Sequence, residues 1–106
     1  MGNVINIEQT IKRTGKGSYD VIMNIKNGSD TENIEFNYSQ TNGIFPLYNS
    51  LINVIRKYEN VHIELTTNNK IFAKEIKGSP NRNTSLLNIY IDIQKQQGVT
   101  LDVIDK

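Results

Sequence analysis

Apolar and polar residues alternate with period two over most of the first forty residues. Ile5 and Ile7 alternate with Asn6 and Glu8, predicting a strand over 4–11. Tyr19, Val21, Met23 and Ile25 alternate with Asp20 and Asn24, predicting a second strand over 18–26. Ile34, Phe36 and Tyr38 against Asn33, Glu35 and Asn37 predict a third over 33–39. Gly15 and Gly17 mark the first turn, and Asn27-Gly28-Ser29-Asp30 the second. The period then lengthens. Phe45, Leu47, Tyr48, Leu51, Ile52, Ile55 and Tyr58 recur every three or four residues, predicting a helix across 44–58. Pro46 is tolerated there because it falls in the first turn, where no backbone donor is needed.

After Asn60, Val61, Ile63 and Leu65 alternate with His62, Glu64 and Thr66, predicting a fourth strand over 61–67. Residues 69–77 have helical spacing, and Gly78-Ser79-Pro80 breaks that segment. The stretch 84–96 fits two periods at once. Leu87, Ile89, Ile91 and Ile93 alternate, whereas Leu86, Ile89, Tyr90 and Ile93 share a helical face. Val99, Leu101 and Val103 make a last strand. The order β-β-β-α-β-α-(α)-β is an α/β fold with a mixed sheet. A length of 106 residues fits one domain spanning 1–106.

Composition adds exclusions. Apolar residues are 37% of the chain and charged residues 22%, enough for a core. The net charge of +1 rules out a globally basic nucleic-acid binder, so any electrostatic role is local. No apolar run is long enough to span a membrane, and the N-terminal MGNVINIE lacks a signal core; a cytoplasmic location is expected. With no Cys and one His, no metal site of thiolate or imidazole type is expected, nor any cofactor. The 15 Asn, 16 Ile and 9 Lys have AT-rich codons and point to an AT-rich genome, that of a low-GC bacterium or its phage.

The order of elements, with several short motifs, resembles ribonuclease H. Tyr19 in Gly-Ser-Tyr-Asp-Val-Ile matches the family's Gly-Gly-Tyr opening to its second strand. Gln40-Thr41-Asn42-Gly43-Ile44-Phe45-Pro46-Leu47 is similar to the entry to its first helix. Val61 to Phe72 resembles its fourth strand and the Thr-Asp-Ser that ends it. Asn83 to Ile104 fits its capped helix and fifth strand, and this spacing makes 84–96 a helix. The resemblance implies a ribonuclease H-like five-stranded mixed sheet without the family's last helix.

That family cleaves phosphodiesters with two divalent ions, which need about four converging carboxylates. Carried over one by one, the family's ligands fall near Glu8, on Pro46, on Asn68 and beyond the last residue, so at most one survives. This reading expects no enzyme and no metal. It expects instead a binding module: a phage or mobile-element accessory protein or inhibitor, of the anti-CRISPR kind, docking on a larger nucleic-acid-processing complex. The polar set of each strand leaves one sheet face wet. Asn6, Glu8, His62, Glu64, Thr66 and Asp102 on that face are the candidate protein-docking residues. Exposed edges at 33–39 and 99–104 also allow a homodimer.

The alternative is RNA or RNA/DNA-hybrid binding. Residues 12–26 and 56–82 each sum to +3, and 27–55 to −3. Lys12, Arg13 and Lys16 lie on a hairpin, and Lys70, Lys74 and Lys77 on one helical stripe. Thr41 and Asn42 are kept where, by the resemblance, the family touches the nucleic-acid backbone. The same charges also read as a solvated helix face and a charged turn. A third reading, a weak metal-dependent nuclease, would turn on Glu8. His62 reads as a solvated histidine, and the five tyrosines as core-facing.

Overall fold

The computed structural model describes residues 4–77 and 84–104. Three long strands come first: β1 (Val4–Gly15), β2 (Ser18–Asn27) and β3 (Asp30–Tyr38). Then follow helix α1 (Phe45–Ile55), strand β4 (His62–Thr67), helices α2 (Lys70–Ile76) and α3 (Thr84–Gln97), and strand β5 (Thr100–Val103). The strands form one sheet in the order β3-β2-β1-β4-β5. The first three pair antiparallel, and β1, β4 and β5 run parallel. The two parallel connections need crossovers, and the helices supply them.

The ambiguous stretch is a helix, as the resemblance implied. β-branched residues there lose to a length of 14 residues and to a second helix on which to pack. β1 runs four residues past its predicted end, because its pairing with β2 continues to Gly15. The break at Gly78-Ser79-Pro80 and the cap at Asn83 lie outside the described residues.

One face of the sheet carries the core. Ile5, Ile7, Val21, Met23, Ile25, Ile63 and Leu65 point into it and meet Leu47, Leu51, Ile55 and Tyr90 of α1 and α3. Phe72 of α2 stands edge-on to Tyr48 of α1, with ring centroids 4.8 Å apart. The other face carries Asn6, Glu8, Asn24, Lys26, His62, Glu64, Thr66 and Asp102, and among the described residues none of the three helices packs on it. Parallel strands covered on both sides are apolar on both sides; these alternate.

Candidate nucleic-acid interface

All loops that carry the predicted site residues converge on one end of the sheet. The strand directions dictate this. β1, β4 and β5 end there, antiparallel β2 begins there, β3 ends there, and α1 and α2 start from it. The loop before α1 is clipped to the β1–β2 turn by Thr41 N donating to Gly17 O at 3.0 Å. Gly17 adopts φ +72°, which an L side chain would strain, and a Cβ there would stand 3.4 Å from Thr41 O. Lys16 and Thr41, 25 residues apart in the chain, are thereby neighbours of one hydrogen bond.

Asn42 folds this loop into the helix. Its Oδ1 accepts from Ile44 N and Phe45 N, each at 2.9 Å, so the side-chain oxygen serves donors that the start of α1 leaves unpaired. Asn42 therefore has a structural role in this chain.

Asn68 joins the other half. Its Oδ1 accepts from Ile11 N at 3.0 Å and its Nδ2 donates to Ile11 O at 3.1 Å, extending the β1–β4 pairing with a side chain. The next residue, Asn69, caps α2 through Phe72 N at 2.8 Å and sets the helix on the sheet end. Lys70, Lys74 and Lys77 are all exposed on α2. A continuous path thus leads from Lys12 and Arg13 through Ile11 and Asn68 to Lys70. The hairpin cations are less of a cluster than their spacing implied. Strand alternation places Lys12 on the open face opposite Asp20 and turns Arg13 the other way, where its Nε donates to Gly15 O at 3.2 Å.

At the centre of this end sits a residue that sequence reading missed. Gln9 is 1% exposed and points under α1. Its Nε2 donates to Leu47 O at 3.1 Å and Ser50 Oγ at 3.2 Å, and its Oε1 accepts from Thr67 Oγ1 at 2.9 Å. The alternation contained the signal: if Ile5 and Ile7 face inward, residue 9 does too. Glu8 lies on the opposite side, beside Asn6 and Thr66. The carboxylate near which the family's first-strand ligand falls, Glu8, thus stands on the open face, one residue from the inward Gln9.

The fit to a pair of divalent ions follows. The inward groups at the strand ends are the amide of Gln9 and the hydroxyls of Ser50 and Thr67, with the Asn68 amide beside them. They are neutral and bonded to each other or to backbone. Among the described residues no group of three His, Asp or Glu side chains could hold a metal ion. These residues do not fit the two ions of the family chemistry, whose charge needs carboxylates.

The docking residues predicted on the open face do share it. Glu64 stands between Asn6 and Asp102 in register, and Glu8 beside Thr66. His62 is not simply solvated. Parallel pairing of β4 with β5 puts Thr100 Oγ1 2.6 Å from its Nδ1 and Asp102 Oδ2 3.2 Å from its Nε2. Spacing gave no hint of these partners, because they lie 38 and 40 residues downstream. The Asp102 side chain is 71% exposed, so water screens its carboxylate and the chain of contacts acts as a cross-strand tie. Of the tyrosines, Tyr48 and Tyr90 are buried, and Tyr38 and Tyr58 pack partly on the core. Tyr19 is half-buried against Gly43. Burial pushes the Tyr38 hydroxyl up to about 12.

No protein-family model matches the sequence, and no curated protein matches it. Solved structures do. The LC11 ribonuclease H1, in complex with an RNA/DNA hybrid, superimposes with a TM-score of 0.74 at 14% identity, over 96% of this chain and 86% of that one. The ribonuclease H1 of the halophilic archaeon Halobacterium salinarum gives 0.67 at 12% identity, over 97% and 86%. The N-terminal ribonuclease H domain of a Mycobacterium tuberculosis protein gives 0.71 at 12%, over 97% and 88%. The chain has the ribonuclease H-like fold that its motifs implied. The expectation that it is not an enzyme is contradicted by these neighbours, every one of which is a ribonuclease H. The comparisons lend nothing to an inhibitor, a phage origin or a protein-docking role. No helix among the described residues is long and apolar enough to cross a membrane.

Proposed function

We propose that this chain binds an RNA/DNA hybrid across the end of its sheet. The observation that carries the reading is the convergence of Lys16, Thr41, Arg13, Asn68 and the α2 lysines on that one end, although the net charge is only +1. Duplex backbones present closely spaced phosphates, and a local cationic surface attracts them by releasing their counterions. Hybrid and RNA duplexes are read by shape, phosphates and 2′-hydroxyls rather than by base edges, which suits lysines, threonine and asparagine. That a solved neighbour of this fold holds an RNA/DNA hybrid supports the same choice of ligand.

Fluorescence anisotropy of a labelled hybrid against a salt series tests it. About four phosphate contacts would cost about 10²-fold in affinity between 50 and 200 mM salt. Arg13→Glu with Lys16→Glu should weaken binding by about tenfold or more and flatten the salt slope. Absence of binding at low salt, or affinity unchanged by salt, would refute the proposal. The same mixture with Mg²⁺ reads hydrolysis directly: a hybrid cut into fragments makes the surface a substrate site, and an intact one makes it a binding site.

A further inference from the structure

A cavity of about 410 Å³ lies between α2 and the end of β5. Lys70, Lys74 and Lys77 wall it, Val103 and Ile104 form an apolar side, and Asn68 closes it toward Gln9. The lysines share a helix face at four- and three-residue spacing. Such like-charge repeats destabilise a helix by a few tenths of a kcal/mol each. Among the described residues Lys70 and Lys74 have no ion-pair partner, and no carboxylate lines the cavity. Glu75 of the same helix is buried on its other side. Lys70 and Lys74 therefore bring positive charge beside exposed apolar surface, with Ile104 43% exposed. It also sits at the carboxyl ends of parallel strands, where open α/β sheets bind ligands.

The geometry points to a nucleotide pocket: the cavity takes a nucleoside monophosphate unit, its phosphate on the ammonium groups of Lys70 and Lys74 and its nucleoside against Val103 and Ile104. Lysine is a compact point charge that pairs with phosphate without a bridging metal, and the apolar side gives a ring or sugar somewhere to shed water. The unit has two sources, a free nucleotide or an unpaired terminal nucleotide of a bound strand. Only the second rests on the hybrid-binding reading.

Titration of the full ¹⁵N-labelled chain with AMP at low salt, followed by NMR, tests the pocket, with adenosine as the uncharged control. AMP should move the amides of Asn68, Lys70, Lys74, Val103 and Ile104, and adenosine should bind at least about tenfold more weakly. Lys70→Glu with Lys74→Glu should lower AMP affinity about tenfold or more; both side chains are exposed, and circular dichroism checks that the variant is folded. Unmoved amides at millimolar AMP, or equal binding by the variant, would overturn the inference. Hybrids with and without a one-nucleotide overhang separate the sources: preference for the overhang, lost in the variant, assigns a strand end, and equal affinity assigns the free nucleotide. If AMP fails while hybrid still binds, the pocket is wrong and the interface stands. If AMP binds and hybrid does not, the reverse holds.

Discussion

The two faces of the sheet are written on the same strands and obey different physics. On β4, Ile63 and Leu65 are sealed under the helices, while His62, Glu64 and Thr66 meet water. On β1, Ile5, Ile7 and Gln9 are sealed, while Asn6 and Glu8 are open. The covered face is selected by burial, which is close to proportional to area and tolerates little change of volume. The open face is selected only by register and by weak screened charge pairs. Stability therefore resides in the first, and residues of the second can change without unfolding the chain. Gln9 is the exception that marks the boundary, a polar group on the covered face at the point where the core meets the candidate interface.

The largest test of that contrast is Leu51→Ala. Leu51 is fully buried between helix and sheet, and the cavity left behind should lower the unfolding free energy by about 2–5 kcal/mol in urea denaturation. Gln9→Ala comes next. It removes the hydrogen bonds to Leu47 O, Ser50 Oγ and Thr67 Oγ1 and leaves a small cavity, and should lower it by about 1–3 kcal/mol. Tyr48→Phe should act with the opposite sign. The Tyr48 hydroxyl is buried with no hydrogen-bond partner among the described residues, so removing it should be neutral or raise stability by about 1 kcal/mol.

The pH dependence sharpens the contrast further. Tyr38 keeps its proton to about 12 when folded, against 10.0 when unfolded, so the native state binds the extra proton between those values. Its contribution is complete below pH 10 and is lost as pH rises toward 12. Tyr38→Phe should remove that segment of the alkaline stability curve. It should also lose the bond to Asn49 Oδ1 at 2.8 Å, which lowers the plateau. Glu64→Gln on the open face should be the smallest effect, within about 0.5 kcal/mol, because the residue lies among exposed groups. A large loss there would show that the open face is covered by something the chain requires.

Much of this molecule was legible before any coordinates. Alternation located each strand and its inward set, and helical spacing located α1 and α2. The resemblance settled α3, where periodicity alone could not separate a helix from a strand. The contrast of Glu8 with Gln9 is instructive. Motif matching tolerates a slip of one residue, whereas a pleated strand does not, since one step carries a side chain to the other face. Asn42, a candidate backbone-contacting residue, and Asn68, the neutral amide where the family's carboxylate falls, both use their side chains to hold backbone in place. His62 looked solitary because its partners arrive from β5 by strand pairing, which spacing along the chain does not reveal.

By itself the amino-acid order determined which residues could be buried, since period and burial are both local properties of a strand or helix. It also determined that charge is locally segregated despite a net balance near zero. Only the tertiary structure decided that the hairpin turn, the loop before α1, Asn68 and the α2 lysines share one end of the sheet. That outcome depends on strand order and direction, set by many long-range contacts at once rather than by any segment. It likewise decided that three lysines wall a cavity instead of merely facing solvent, because the opposing side is β5, more than twenty residues further along the chain.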